Sequence, residues 1–178
     1  LPLGNARINL ALPSLIRIFA NKKAMKIDIE ARVEAARNNF LSGYNCAQSV
    51  VLAYNDLLGM DDRLAATVSA SFGGGMGRMR EVCGTVSGMS LLAGFISPAV
   101  DPTNMSQRKA NYALVQNFAE SFRRENGAIV CRELLGLPAA SSEPQPSERT
   151  AEYYRRRPCA DYVASAARIV GEYLAAQE

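Results

Sequence analysis

The sequence predicts an all-α protein, a compact multi-helix bundle of about six to seven helices. Three observations lead there. Apolar residues recur at helical spacing through most of the chain, no run alternates as a half-buried strand would, and glycine, asparagine or aspartate punctuates the periodic segments. Ile29, Val33, Ala36 and Phe40 make the first stripe, which ends at Gly43. Ala47, Val50, Val51, Tyr54, Leu57 and Leu58 make the second, ending at Gly59. Asp61 and Asp62 open a third helix that carries Leu64, Val68 and Phe72. The run Gly73-Gly74-Gly75-Met76-Gly77 then interrupts it, because each glycine costs a helix about 1 kcal/mol relative to alanine.

A fourth helix starts near Cys83 and continues through Val86, Met89, Leu91 and Leu92 to Phe95. Asp101-Pro102 marks a turn. A long helix over residues 104–125 points Tyr112, Val115, Phe118, Ala119 and Phe122 inward, and Asn126-Gly127 stops it. A short helix carries Cys131 and ends at Gly136. Residues 138–148, with Pro138, Pro144 and Pro146, read as an exposed loop. The polar stretch from Glu148 to Arg157 leads to a last helix with Tyr162, Val163, Ala166, Ile169, Val170, Tyr173 and Leu174. No internal repeat interrupts this order.

Composition narrows the chemistry. The chain has 178 residues, and a 48% hydrophobic share supports a core without disulfide staples. One domain is expected at this length. A net charge of +3 with no recognisable module argues against nucleic acid as a partner. There is no histidine, which excludes Ser–His and Cys–His catalytic pairs, histidine-ligated haem and mixed Cys/His zinc sites. Residues 1–24 read as an N-terminal extension or appended segment, and residues 25–178 as a single helical four-cysteine domain with Met25 as a plausible start. The apolar stretch from Ile8 to Ala20 is broken by Pro13 and Arg17, so no membrane span is expected. The expected compartment is the cytoplasm, where cysteines are more often catalytic or metal-bound than locked in standing disulfides.

Cys46, Cys83, Cys131 and Cys159 are therefore the candidate site. No two form a C-x-x-C pair, but each falls in the first turn of an expected helix. Asn45 and Gln48 frame Cys46 as a cap and its third helical position, and Pro158 precedes Cys159. A helix start favours the thiolate, the reactive and metal-binding form. Redox thiols forming one or two disulfides are one reading, with Cys83 the expected nucleophile because glycines grant access to it. A cysteine-ligated iron–sulfur cluster or zinc held by Cys46, Cys83, Cys131 and Cys159 is the second. A structural helical adaptor with four incidental buried cysteines is the third. Four cysteines allow three pairings, and spacing does not choose among them.

The residues around the cysteines divide in the same way. Gly73, Gly74, Gly75 and Gly77 either serve a tight helix crossing or turn backbone N–H groups toward an anion or cofactor. Gly84 and Gly88 make a smooth stripe that lets another helix, or a cofactor, approach Cys83. Arg78, Arg80, Arg155, Arg156 and Arg157 either form solvated faces or turn toward the cysteines and favour thiolates. Tyr44, Tyr153 and Tyr154 read as packing residues.

The ordered segments Gly43-Tyr44-Asn45-Cys46-Ala47-Gln48, Phe72-Gly73-Gly74-Gly75-Met76-Gly77, Cys83-Gly84-Thr85-Val86-Ser87-Gly88, Val130-Cys131-Arg132-Glu133-Leu134 and finally Cys159 resemble the C-GCAxxG-C-C family of redox-active four-cysteine proteins. The resemblance covers about residues 28–175. The family's central motif usually reads C-G-A-x-x-G, and Thr85 stands where its alanine does. The resemblance implies redox activity and names neither substrate nor redox partner. Such domains are also similar to part of split-Soret cytochromes, but without C-x-x-C-H or any histidine haem binding does not carry over. A homo-oligomer is compatible with everything above.

Overall fold

A computed structural model of the chain describes residues 26–141 and 143–177. The extension expected at 1–24 lies outside the described residues. The helices are α1 (Ile29–Leu41), α2 (Cys46–Leu52), α3 (Asn55–Leu58), α4 (Asp62–Ser69), α5 (Gly84–Ile96), α6 (Met105–Asn126), α7 (Cys131–Leu134), α8 (Ala151–Arg156) and α9 (Cys159–Ala175). A 3-10 turn over Ala70–Phe72 follows α4. Among the described residues there is no strand, only an isolated antiparallel bridge between Val82 and Val130, and the fold is all-α as expected. No described helix is long and apolar enough to cross a membrane.

Local chemistry sets the helix ends. Asp28 accepts from the Ala31 N–H, Asp61 from Leu64, Asn104 from Gln107 and Thr150 from Tyr153. Asn45 and Gln48 form the reciprocal capping box their spacing suggests. Gly59 and Gly127 end α3 and α6 in the left-handed conformation that a side chain would resist.

The long C-terminal helix α9 organises the core. It packs on α1, α2, α5 and α6, and α2 in turn lies along α5. Val163, Ala166, Ala167 and Val170 of α9 meet Phe40 of α1, Val50 of α2, Met89 and Leu92 of α5, and Phe118 and Phe122 of α6. Each such aliphatic or aromatic side chain contributes about 1.5–3 kcal/mol by leaving water. Tyr54 is fully buried and donates its hydroxyl to the Ala167 carbonyl at 2.6 Å, so the one polar atom on that ring is satisfied.

Several expectations are corrected. The second stripe is two helices, because the chain turns at Ala53 and Tyr54 and restarts at Asn55. The third helix buries Ala65 and Ser69 rather than Leu64 and Val68, which are exposed. Ser69 satisfies its hydroxyl on the Ala65 carbonyl at 2.6 Å, which lets a polar residue hold the inward position. Tyr112 is exposed on α6 and Leu114 is buried instead. The polar stretch before Cys159 contains α8. Its first turn is capped by Thr150, and Glu152 pairs with Arg155 and Arg156 along its surface.

Candidate functional site

Each cysteine sits at a helix start. Cys46, Cys131 and Cys159 are the first residues of α2, α7 and α9, and Cys83 is the N-cap of α5. All four are free, and all four line one cavity of about 50 Å³. Three local devices bring them together.

The first is the Val82–Val130 bridge. Cys83 N–H donates to the Ile129 carbonyl at 2.8 Å, and Cys131 N–H donates to the Glu81 carbonyl at 2.6 Å. These bonds hold the starts of α5 and α7 side by side. An Arg132–Glu81 ion pair at 2.8 Å closes the outer edge.

The second is the glycine stripe. A Cβ on Gly84 would lie 3.1 Å from the Cys46 Cβ and 2.9 Å from the Phe72 carbonyl oxygen. One on Gly88 would lie 3.0 Å from the Val50 Cβ. The bare backbone of α5 is thus what lets α2 deliver Cys46.

The third is the loop between the 3-10 turn and the bridge. Gly74, Gly75, Met76, Gly77, Arg78 and Arg80 all have positive φ. Three of these are not glycine, and each such residue costs about 1–2 kcal/mol of backbone strain. The loop curls on itself through Gly77 N–H to the Ser71 carbonyl at 2.7 Å and Glu81 N–H to the Gly75 carbonyl at 3.1 Å. A Cβ on Gly75 would lie 2.6 Å from the Cys131 Cβ. The curl buries Arg80, whose Nη1 stands 4.0 Å from Cys131 Sγ.

The electrostatics separate the thiols. Burial pushes the Cys83 thiol up to about 11, although the Thr85 hydroxyl at 3.1 Å and the Thr85 N–H act in the opposite direction. Burial also raises Cys131, partly offset by Arg80. Cys46 is held well above the ordinary thiol range, first because its S–H donates to the Cys159 sulfur and then by burial. Cys159 is lowered to about 7. Cys46 is the largest cause, Arg157, Arg149 and Arg80 add to it, and burial opposes it. The helix starts therefore do not make four thiolates. Burial wins at Cys83 and Cys131, Cys46 is raised first by Cys159 and then by burial, and the exception is Cys159, with both a thiol donor and guanidinium groups beside it.

The glycines expected at the site divide between two spaces. Gly74, Gly75 and Gly84 line the cysteine cavity. Gly73, Gly74 and Gly77 line an adjoining pocket of about 290 Å³, and Gly88 serves the α2–α5 contact instead. Arg80 and Arg157 reach the cysteines, whereas Arg155 and Arg156 pair with Glu152. Tyr44 is exposed, Tyr154 packs edge-on against Phe40, and Tyr153 lines both spaces. Arg149 and Leu135 also line the cavity without a sequence signal for it, and so do Tyr162, expected as part of the last helix's apolar stripe, and Leu134 of the Val130–Leu134 motif. Arg149 carries no periodic signal, and its position depends on stacking over Phe40 and on the Phe40 and Tyr44 carbonyls. Among the described residues no group of three or more Cys, Asp or Glu side chains is placed to hold a metal ion.

A family model described as "Putative redox-active protein (C_GCAxxG_C_C)" matches residues 44–173. Searches of curated proteins and of solved structures found no match.

Proposed function

We propose, for a chain that belongs to the C_GCAxxG_C_C redox-active family, that it exchanges electrons with disulfides through a Cys46–Cys159 dithiol. The observation that carries this is the shared cavity: Cys46 and Cys159, from the starts of α2 and α9, line one space edged by Arg80, Arg149 and Arg157, where each is the first cause of the other's shifted ionisation. Cys83, the nucleophile expected from sequence, stays a buried neutral thiol up to about pH 11, so the nucleophile in this reading is Cys159.

The Cys159 thiolate attacks one sulfur of a disulfide R–S–S–R. The bond between the two substrate sulfurs breaks, a mixed disulfide forms on Cys159, and the first R–S⁻ leaves. That thiolate takes the proton released by Cys46. The Cys46 thiolate then attacks Cys159 Sγ, displacing the second R–S⁻, which is protonated by solvent. The protein dithiol has lost two electrons and the substrate has become two thiols. A dithiol reductant running the same steps backward restores the protein. A reducing compartment such as the cytoplasm suits such a cycle.

Equilibration with a defined thiol–disulfide buffer, followed by peptide mass mapping, tests the assignment. The expected product is a Cys46–Cys159 disulfide, with Cys46→Ser trapping the mixed disulfide on Cys159. A mixed disulfide trapped on Cys83, or a protein whose four thiols stay reduced throughout, would overturn it.

A further inference from the structure

The pocket that adjoins the cysteine cavity is an unusually unbalanced piece of surface. Four guanidinium groups, Arg78, Arg80, Arg149 and Arg157, line it, and among the described residues of its lining there is no carboxylate. Several other arginines find carboxylate partners: Arg32 pairs with Asp56, Arg37 with Asp161, Arg132 with Glu81 and Arg168 with Glu30. Among the described residues none of the four pocket arginines has an acidic partner.

What they do contact fixes their positions and leaves their charge uncompensated. Arg78 Nη1 donates to the Glu143 carbonyl at 3.2 Å, while its Nε is buried with no partner. Arg80 is only 6% exposed, and its Nη1 stands 4.0 Å from Cys131 Sγ. Arg149 donates to the Phe40 and Tyr44 carbonyls at 3.3 and 3.2 Å. Arg157 stacks on the Tyr153 ring at 4.9 Å, with Arg149 5.0 Å from the same ring. A buried guanidinium without a counter-charge is costly, and a ligand anion removes that cost. Two of these residues, Arg78 and Arg80, also hold positive φ, a strain that turns them into the pocket.

The pocket is continuous with the redox site. Asn45, Gly74, Arg80, Arg149, Tyr153 and Arg157 line both spaces, so a ligand seated in the outer one faces the cysteines through a shared wall. Its 290 Å³ is near the lower end of small-molecule sites, enough for one arm of a small organic disulfide and not for a folded protein loop. We propose that this arginine-lined pocket binds the carboxylate-bearing arm of a small anionic disulfide and presents its sulfur to the Cys46–Cys159 pair. The proposal rests on the thiol–disulfide reading and supplies its substrate class. Planar guanidinium forks suit carboxylates, and the stacked pair over Tyr153 is held ready to receive one. The released carboxylate thiolate is also anionic, so the same groups favour its departure as an ion.

The test compares two aromatic disulfides of similar reactivity with the full-length reduced protein. One carries a carboxylate on each ring and the other is the neutral dipyridyl disulfide. The quantity read is the ratio of their second-order rate constants, each divided by the rate with a small free thiol. Changes in the amount of Cys159 thiolate affect both probes alike and cancel. The expected result is a ratio well above one for the wild type, falling about tenfold in Arg78→Gln and in Arg157→Gln, with Arg157→Lys recovering part of the loss. Arg156→Gln, which removes only the surface pairing with Glu152, should leave the ratio unchanged. A wild-type ratio near one, or a ratio indifferent to Arg78→Gln and Arg157→Gln, would overturn the anionic-substrate proposal while the dithiol reading stands. Failure of both probes to form a protein disulfide would overturn the dithiol reading, and this proposal with it.

Discussion

Replacing Cys46 by alanine should raise the ionisation midpoint of Cys159 while leaving the protein folded. The structure sets the size of the change. Cys159 is lowered from an ordinary 9.0 to about 7, and the bond donated by Cys46 is the largest of the causes. A hydrogen bond to a charged acceptor contributes about 1.5–3 kcal/mol, which at about 1.36 kcal/mol per unit is roughly one to two units. The arginines remain in the variant, and so does the burial that opposes them, so the midpoint should return to about 8–9. Cys46→Ser keeps a donor on a shorter side chain that reaches less far toward Cys159, and should fall between. The assay is alkylation of Cys159 as a function of pH, followed by peptide mass spectrometry and normalised to the plateau rate, so that altered access does not mimic altered ionisation. A wild-type midpoint at or above about 8.5 would refute the electrostatic reasoning. An unshifted midpoint in Cys46→Ala would show that the guanidiniums alone hold the thiolate.

Four further outcomes follow from other parts of the structure. Gly75→Ala combines a positive φ with a Cβ 2.6 Å from that of Cys131, and should cost roughly 2 kcal/mol or more in denaturant melts and alter Cys131 labelling. Gly59→Ala, at a φ of 67° in the turn that ends α3, should cost about 1 kcal/mol or more and leave all four thiols as they were. Burial keeps Cys83 neutral, so its stabilising contribution is complete below the unfolded thiol value and is lost as pH rises toward about 11; Cys83→Ala should flatten that alkaline loss in melts run across pH. Cys159 has the opposite sign, since its contribution is present above the unfolded thiol value and is lost as pH falls through about 7; Cys159→Ser should remove that part of the acid-side slope.

Much of the fold was legible because helix ends are local chemistry. Asn45 with Gln48, Asp61, and Gly127 after Asn126 each state their role within a few residues, and the structure uses them that way. The placement of each cysteine at a helix start was legible for the same reason. Their convergence was not, because it depends on a backbone bridge between Val82 and Val130 and on a glycine stripe whose partner helix the sequence does not name. Burial also overrode the helix-start argument at Cys83 and Cys131, and the Cys159 interaction together with burial did so at Cys46. Leu64 and Val68 misled because the helix that carries them buries its small face, Ala65 and Ser69. Thr85, which stands where the family's motif has alanine, places its hydroxyl 3.1 Å from the Cys83 sulfur. Arg149 could not have been found, since it sits in a polar run and owes its place to three aromatic rings gathered from two helices.

The positions of Cys46 and Cys159 have a mechanical consequence. A covalent link between them would gather α2 through α8 into a single closed ring of chain. Closing a ring of roughly 100 residues restricts the unfolded chain by about 4.7 kcal/mol in the chain-entropy picture, before any distortion of the folded form is counted. That is a sizeable fraction of what holds a domain of this size together. The two oxidation states would then differ in durability as well as chemistry: the reduced form more easily opened by proteases and chaperones, the oxidised form kinetically sheltered.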